Sequence, residues 1–202
     1  MTIRKGEDWG SEGPMPAGTE VCPDDSSLFR AINRVAPPSS VGLLAGDLAR
    51  TVAASGRADR FLADLDVVVL PVDLGEVTHD GGVHRFASHL VLRRSWLRGP
   101  ILVVANAQFI DSWDVAPRSH PNDGWLDVTE VDASMTVRQR LAAQKRLPTA
   151  GHLPHPAIRT TRIREHSWTF RHPLHLWIDG EQICSTGSLS VRCLPDALTI
   201  CI

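Results

Sequence analysis

From about residue 63 the chain is a succession of short runs rich in β-branched residues, each cut off by turn residues. This pattern leaves few folds open. The runs are "LDVVVLPVDLGEV", "VHRFASHLVLRR", "GPILVVANAQFI", "GWLDVTEV", "AIRTTRIREHSW", "PLHLWIDGEQI" and "GSLSVRCLPDALTICI". "HDGG", residues 79–82, marks a tight hairpin between the first two. One segment of this half, "SMTVRQRLAAQKRL" at residues 134–147, has convincing helical spacing, and Pro148 closes it. Strands this frequent, with so little helix between them, predict a sandwich or a strongly bent antiparallel sheet. A chain of 202 residues with 43% hydrophobic content can fill the core such a fold requires.

Upstream the character differs. Residues 1–20, rich in Gly, Pro and Glu, read as a loose lead-in. "PDDSSLFRAINRV" offers Asp24 or Ser26 as an N-cap ahead of Leu28, Ile32 and Val35, and "APPSS" ends the helix. "VGLLAGDLARTVAASG" then gives an apolar strand, a glycine turn and a second helix stopped by Gly56. Such a strand–turn–helix unit is the building block of α/β layers. The expected fold class is α+β, mostly β: a small α/β segment at residues 1–62, followed by a larger β-sandwich at 63–202.

The 21 basic and 23 acidic residues are interspersed, for a net charge of −2, so nothing in the charge pattern favours nucleic acid as a partner. No apolar run approaches the roughly 20 residues of a membrane span. The start "MTIRKGEDWG" has no apolar leader, and a cytoplasmic location with reduced thiols is expected. Cys22, Cys184, Cys193 and Cys201 lack CxxC spacing and suit buried packing better than metal binding. The nine histidines include no HExxH, and Pro154 and Pro156 bar the helix that would align His152 with His155, so loop and surface positions are expected for them. Trp96, Trp113, Trp125, Trp168 and Trp177 suit a β core. Residues 134–147 carry Arg138, Arg140, Lys145 and Arg146, and a basic amphipathic helix can lie on an anionic membrane. Its apolar positions Val137, Leu141 and Leu147 form only a narrow stripe with Arg140 beside it, so packing on the sheet is preferred and membrane association is at most peripheral.

Two Asp-Gly pairs stand inside strand-like sequence, in "HPNDGWLDV" (120–128) and "LHLWIDGEQI" (174–183). Taken in order, "VVANAQF", "WDVAPRSHPNDGWLDV", a helix, "GHLPHP", "LWIDGEQI" and "LSVRCLPDALTICI" resemble the C-terminal β-sandwich domain of the bacterial diacylglycerol kinase and sphingosine kinase family of lipid kinases. The resemblance covers roughly residues 63–202, and the order and spacing of the motifs carry it rather than any one of them. Upstream, "AGDLART" (45–51) resembles that family's "GTxND-AR" segment, with Asp47 and Arg50 in register and Leu44 in place of the Thr. "CPDDSS" (22–27) falls where a "GGDGT" phosphate loop would stand, with Asp24 as the match and the glycines gone.

The resemblance implies a cleft in which Glu181 activates a lipid hydroxyl as general base, with Asp47 as its catalytic companion. Asp24, Asp47 and Arg50 would then lie near the nucleotide. It also implies a structural Mg²⁺ held by Asp123 with the carbonyls of His120 and Trp125. Read from the residues alone, the first site is equally an Asp179-Gly180 hairpin with Glu181 exposed, and the second an Asp-Gly turn without metal. Asp127 alternates to the far side of its strand and reads as solvated, and Asn106 ends a buried strand and bonds to neighbouring backbone. The altered loop weighs against ATP. A phosphate cradle needs backbone N–H groups that can turn inward, and Cys22 and Pro23 supply a side chain and a missing donor instead. Fewer than twenty-five residues precede the loop, which reads as a nucleotide domain reduced to a remnant. The expectation is a lipid-kinase-like protein with lost or altered kinase activity, serving as a lipid- or ligand-binding or regulatory module. An active ATP- and Mg-dependent lipid kinase is the alternative, and so is a structural subunit, paired as a homodimer or with a complete kinase.

Overall fold

The computed structural model describes residue 3, residues 9–61 and residues 66–202. The boundary drawn between residues 62 and 63 falls outside them. The first part holds β1 (Ser11–Pro14), β2 (Glu20–Cys22), α1 (Asp25–Ile32), β3 (Ser40–Leu43) and α2 (Asp47–Thr51). Then come β4 (Asp66–His79), β5 (Gly82–Phe86), β6 (His89–Arg93), β7 (Ile101–Ala105) and the small hairpin of β8 (Phe109–Ile110) and β9 (Trp113–Asp114). β10 (Leu126–Val131), α3 (Val137–Gln144), β11 (Ile158–Ile163), β12 (Glu165–Ile178) and β13 (Glu181–Cys201) complete the chain. The fold is mostly β, as the spacing of turn residues predicts.

Eleven strands form one sheet in the order β1-β4-β13-β12-β6-β7-β10-β11, with β5 beside β4 and β3 beside β13. The 21-residue strand β13 organises it. Its first part pairs antiparallel with β12, and its end runs parallel to β3, Thr199 to Ser40 and Ile200 to Val41. Between these parts the pairing with β4 breaks from Leu194 to Leu198, where Pro195 has no N–H for the ladder and Asp196 takes φ +51°. A second irregularity in β12, between Thr169 and Leu174, bends the partner strand. Such breaks let a long sheet fold back over its own apolar face. The segment 20–51 is hydrogen-bonded into this same sheet through β2 and β3.

Three apolar clusters follow. Leu90, Leu92, Leu102, Val104, Leu126, Val128 and Leu176 fill the sandwich, each fully buried leucine contributing roughly 1.5–3 kcal/mol. Leu28, Ile32, Val41 and Leu48 from the first part pack with Val72, Leu198 and Ile200 from the second. The alternate residues Val91, Ile101, Val103 and Ala105 point to the outer face of β6 and β7, where Trp96, Trp113, Trp177 and Leu147 cover them.

Several expectations need correction. α2 stops at Thr51 rather than continuing to Gly56, because Ala53 turns left-handed (φ +55°) and the Ala54 amide returns to the Ala49 carbonyl. α3 starts after Thr136, whose side chain and that of Gln139 form a reciprocal cap. It does pack on the sheet, but through Arg140, which is buried, while Leu141 faces outward. His79, His89 and His152 are buried rather than on loop surfaces, and Asp127 is largely covered. All four thiols are free, and burial pushes Cys22 up to about 11 and Cys193 up to about 12, which keeps them protonated and inert. Among the described residues no helix is long and apolar enough to cross a membrane.

Candidate functional site

Three carboxylates meet where α1 and α2 reach the sandwich. Asp25, on the first turn of α1, accepts the Asp47 amide at 2.6 Å and the Ser88 hydroxyl at 2.8 Å. Gly46 makes this approach possible: it has φ +113°, and a Cβ there would fall 2.6 Å from the Asp25 carboxylate. Asp47 accepts the Asp111 amide at 2.7 Å, and its other oxygen lies 3.3 Å from Nδ1 of His89, off the hydrogen-bond direction. Asp179 sits at the hairpin bend with φ +44° and is followed by Gly180 at +86°. Its carboxylate accepts the amides of Ala87, Ser88 and His89 at 2.8–2.9 Å, which holds the left-handed turn in place.

Burial and proximity set the charges. Burial, then the neighbouring Asp25 carboxylate, push both Asp47 and Asp179 up to about 7, and burial raises Asp25 as well. Burial lowers His89 to about 4, so its ring is neutral at pH 7. Asp47 and Asp179, each coupled to Asp25, therefore titrate near neutrality.

Glu181 lies just outside. It accepts the Ser26 hydroxyl, and Arg30 reaches both Ser26 (2.8 Å) and Glu181 (3.3 Å). Asp24 stands apart from the acids. It is the exposed N-cap of α1, taking the Ser27 amide at 2.8 Å, while the Ser27 hydroxyl returns to the Asp24 carbonyl. One free donor of this helix start, the Ser27 amide, is met by the chain's own carboxylate. Arg50 turns away to the Asp111 carbonyl (2.6 Å) and stacks on Phe109, so that with Asp47 it ties α2 to the β8–β9 hairpin. Of the residues named from sequence, the structure thus brings Asp47, Glu181 and the hairpin Asp179 to one region, joined by the unforeseen Asp25, Ser88 and His89.

The second Asp-Gly turn is built differently. The Asp123 carboxylate pairs with Arg162 and accepts the Trp125 amide at 3.0 Å; Arg162 also lies 3.8 Å from Asp127 and over the Trp125 ring. His120 accepts the Asn122 amide through Nδ1 and packs on Trp9. The acid that holds the turn is Asp73, fully buried on β4, which takes the amides of Gly124 (2.7 Å) and Asp196 (2.9 Å). A charged residue inside "LPVDLGEV" is the sequence signal for it. Among the described residues no three His, Cys, Asp or Glu side chains converge to hold a metal.

The two turns are linked. The buried Asn106 donates to the carbonyls of Asp73 and Ala87, and the Ala87 amide reaches Asp179, so one chain of hydrogen bonds runs between the two Asp-Gly pairs.

A family model described as the YegS C-terminal NAD kinase beta sandwich-like domain matches residues 77–202. The chain belongs to this family. Asp123, Asp179 and Glu181 lie within the matched part, and Asp25 and Asp47 precede it. Two solved structures described as a "putative diacylglycerol kinase" from Bacillus anthracis str. Sterne superimpose at 13% identity. The first has a TM-score of 0.66 over 89% of this chain and 76% of its own, the second 0.64 over 88% and 75%. A third, titled a diacylglycerol kinase from the same organism, gives 0.63 over 88% and 73% at 13% identity. At this identity the likeness establishes the fold. No curated protein matches.

Proposed function

We propose that this member of the diacylglycerol-kinase-like family binds an amphiphile and does not phosphorylate it. The observation that carries the reading is an apolar pocket on the outer face of β7 and β10, beneath α3. Trp96, Ile101, Val103, Trp113, Val131 and Leu147 help to line it. His152, only 5% exposed, also lines it, and neither of its ring nitrogens has a partner. Burial lowers the basicity of that ring, so it is neutral at pH 7 and presents one donor and one acceptor. A hydroxyl, itself donor and acceptor, complements it; an anionic head group does not.

The pocket, open on one side, offers about 90 Å³, against about 150 Å³ for an engineered apolar cavity that holds benzene. It takes a few methylenes, and the rest of a ligand would extend into the adjoining groove. Val115, Thr129 and Ile158 are shared with that groove, which is edged by Arg118, Thr160 and Thr161.

Loss of phosphoryl transfer is supported by the start of α1, where Pro23 offers no donor and the Asp24 carboxylate already takes the Ser27 amide. Neither ATP nor a structural divalent cation suits the residues present: at the Asp123 turn the Arg162 guanidinium already supplies the positive charge.

Titration with 1,2-dioctanoylglycerol, read by calorimetry and by the fluorescence of Trp96 and Trp113, should show saturable binding. His152→Phe should weaken it about 10-fold, the worth of one hydrogen bond to a desolvated group. Binding indifferent to His152→Phe would sink the pocket. Phosphate transfer from ATP that disappears in Glu181→Gln would restore the kinase reading.

A further inference from the structure

α3 is oriented against its own amphipathicity. Arg140 points into the protein and is 5% exposed, while Leu141 is 45% exposed. The buried guanidinium is held by four carbonyls: Met135 at 3.0 Å, Asp132 at 2.9 Å, Gly99 at 2.5 Å and Trp96 at 3.4 Å. It therefore clamps α3 to the 94–99 loop, which carries Leu97, 39% exposed. These are two of the five large hydrophobic residues exposed among the described residues.

Charge is segregated in the same place. Residues 93–99 and 133–147 hold Arg93, Arg94, Arg98, Arg138, Arg140, Lys145 and Arg146 and no acidic residue, in a chain whose net charge is −2. The nearest acid in sequence, Asp132, stays ionised, bonded to the Ser134 amide, and its charge is felt by the buried Arg140. On the outer side of α3, Val137, Arg138, Leu141, Ala142 and Lys145 border a shallow open groove. A leucine standing among cations, on segments that carry no acidic residue of their own, matches one kind of partner by both charge and polarity.

We infer that α3 and the 94–99 loop dock on an anionic lipid surface, with Leu141 entering the acyl boundary and Arg138, Lys145 and Arg146 facing the head groups. Each cation near such a surface strengthens attachment several-fold, and one inserted leucine adds roughly another 10-fold. The docking face lies on the opposite side of α3 from the pocket residues Arg140, Ala143, Gln144 and Leu147, so the helix would separate the membrane from the bound amphiphile. The inference stands on the outer surface and does not depend on what fills the pocket.

Flotation of the full chain with phosphatidylcholine vesicles, with and without phosphatidylserine, tests it. Binding is expected only to the anionic vesicles. The triple variant Arg138→Gln, Lys145→Gln, Arg146→Gln should lower partitioning roughly 100-fold, at about 1 kcal/mol per cation. Leu141→Ser should lower it roughly 10-fold. Both variants alter exposed positions, so thermal melting should match the parent and exclude a folding defect. Failure of the parent to bind anionic vesicles overturns the inference, as does binding that survives the triple substitution. Binding that loses its strength with the charges but ignores Leu141→Ser also overturns it, since charge alone would equally suit a nucleic acid or another polyanion. None of the substituted residues lines the pocket, so dioctanoylglycerol titration of the same variants without vesicles should be unchanged. The two readings can therefore fail separately.

Discussion

Asp47 holds a carboxylate in a place that disfavours its charge: it is largely buried, with Asp25 beside it and a neutral His89 in front. Its pKa of about 7 in the fold exceeds the 3.8 of an ordinary aspartate, so the folded chain retains a proton that the unfolded chain releases. The associated stability is complete below pH 3.8 and is lost as pH rises through 7. Asparagine at this position keeps an oxygen for the Asp111 amide and turns an N–H toward His89 Nδ1, with no charge to bury. Asp47→Asn should therefore melt close to the parent near pH 4 and progressively above it up to pH 8, by about 2–4 °C per kcal/mol for a chain of this size. Comparing the two proteins cancels the opposing slope of the buried histidines, whose lowered values favour the fold as pH rises. Thermal scans across that range check it, and a difference that stays flat with pH would remove the coupled-acid account. Asp47 and Glu181 were legible in the sequence because motif order marked them. Asp25 was not, because the choice of cap lay between Asp24 and Ser26 and nothing in "PDDSS" reports that the aspartate between them turns inward.

At the level of elements, the strands follow from alternation and turn chemistry, and the face that α3 presents does not. Its helical spacing allows either Leu141 or Arg140 inward, and side-chain polarity alone favours the leucine. Four backbone carbonyls gathered by the 94–99 loop and the 132–135 turn, one of which (Asp132) also takes the Met135 amide, decide otherwise, and no local pattern in the sequence reports them. Likewise His152 follows from the loop that closes the pocket, not from its neighbours in "GHLPHP". If the guanidinium is the clamp, Arg140→Met should remove all four of its hydrogen bonds to those carbonyls and cost about 2–4 kcal/mol. Hydrogen exchange should then accelerate first in residues 133–150, ahead of β10 and β7. Leu141→Ser, one residue away and exposed, should change stability by no more than about 0.5 kcal/mol. The reverse ranking would mean that the helix is held by its apolar residues after all.

For the whole molecule, the decisive element is β13, which ends one layer and begins the contact with the first part of the chain. Ile200 and Leu198 lie in the same cluster as Leu48 of α2 and Ile32 of α1, and Thr199 to Cys201 pair with β3. Asp25 and Asp47 from the first part are bonded to Ser88 and Asp111 of the second. An apolar cluster and a hydrogen-bonded acid cluster that both cross the same seam leave little surface along which the first part could unfold alone. Leu48→Ala, a buried leucine exchanged in that seam, should cost about 2–5 kcal/mol. The loss should lower one shared transition rather than create a second. The tryptophans other than Trp9 all lie beyond residue 95, whereas far-UV dichroism also sees α1 and α2. Urea unfolding of Leu48→Ala should give coincident curves from the two signals, as a single cooperative unit requires. An early dichroic transition with tryptophan emission unchanged would instead show that residues 20–51 form a separable unit on the sandwich, and that the seam joins two folding domains.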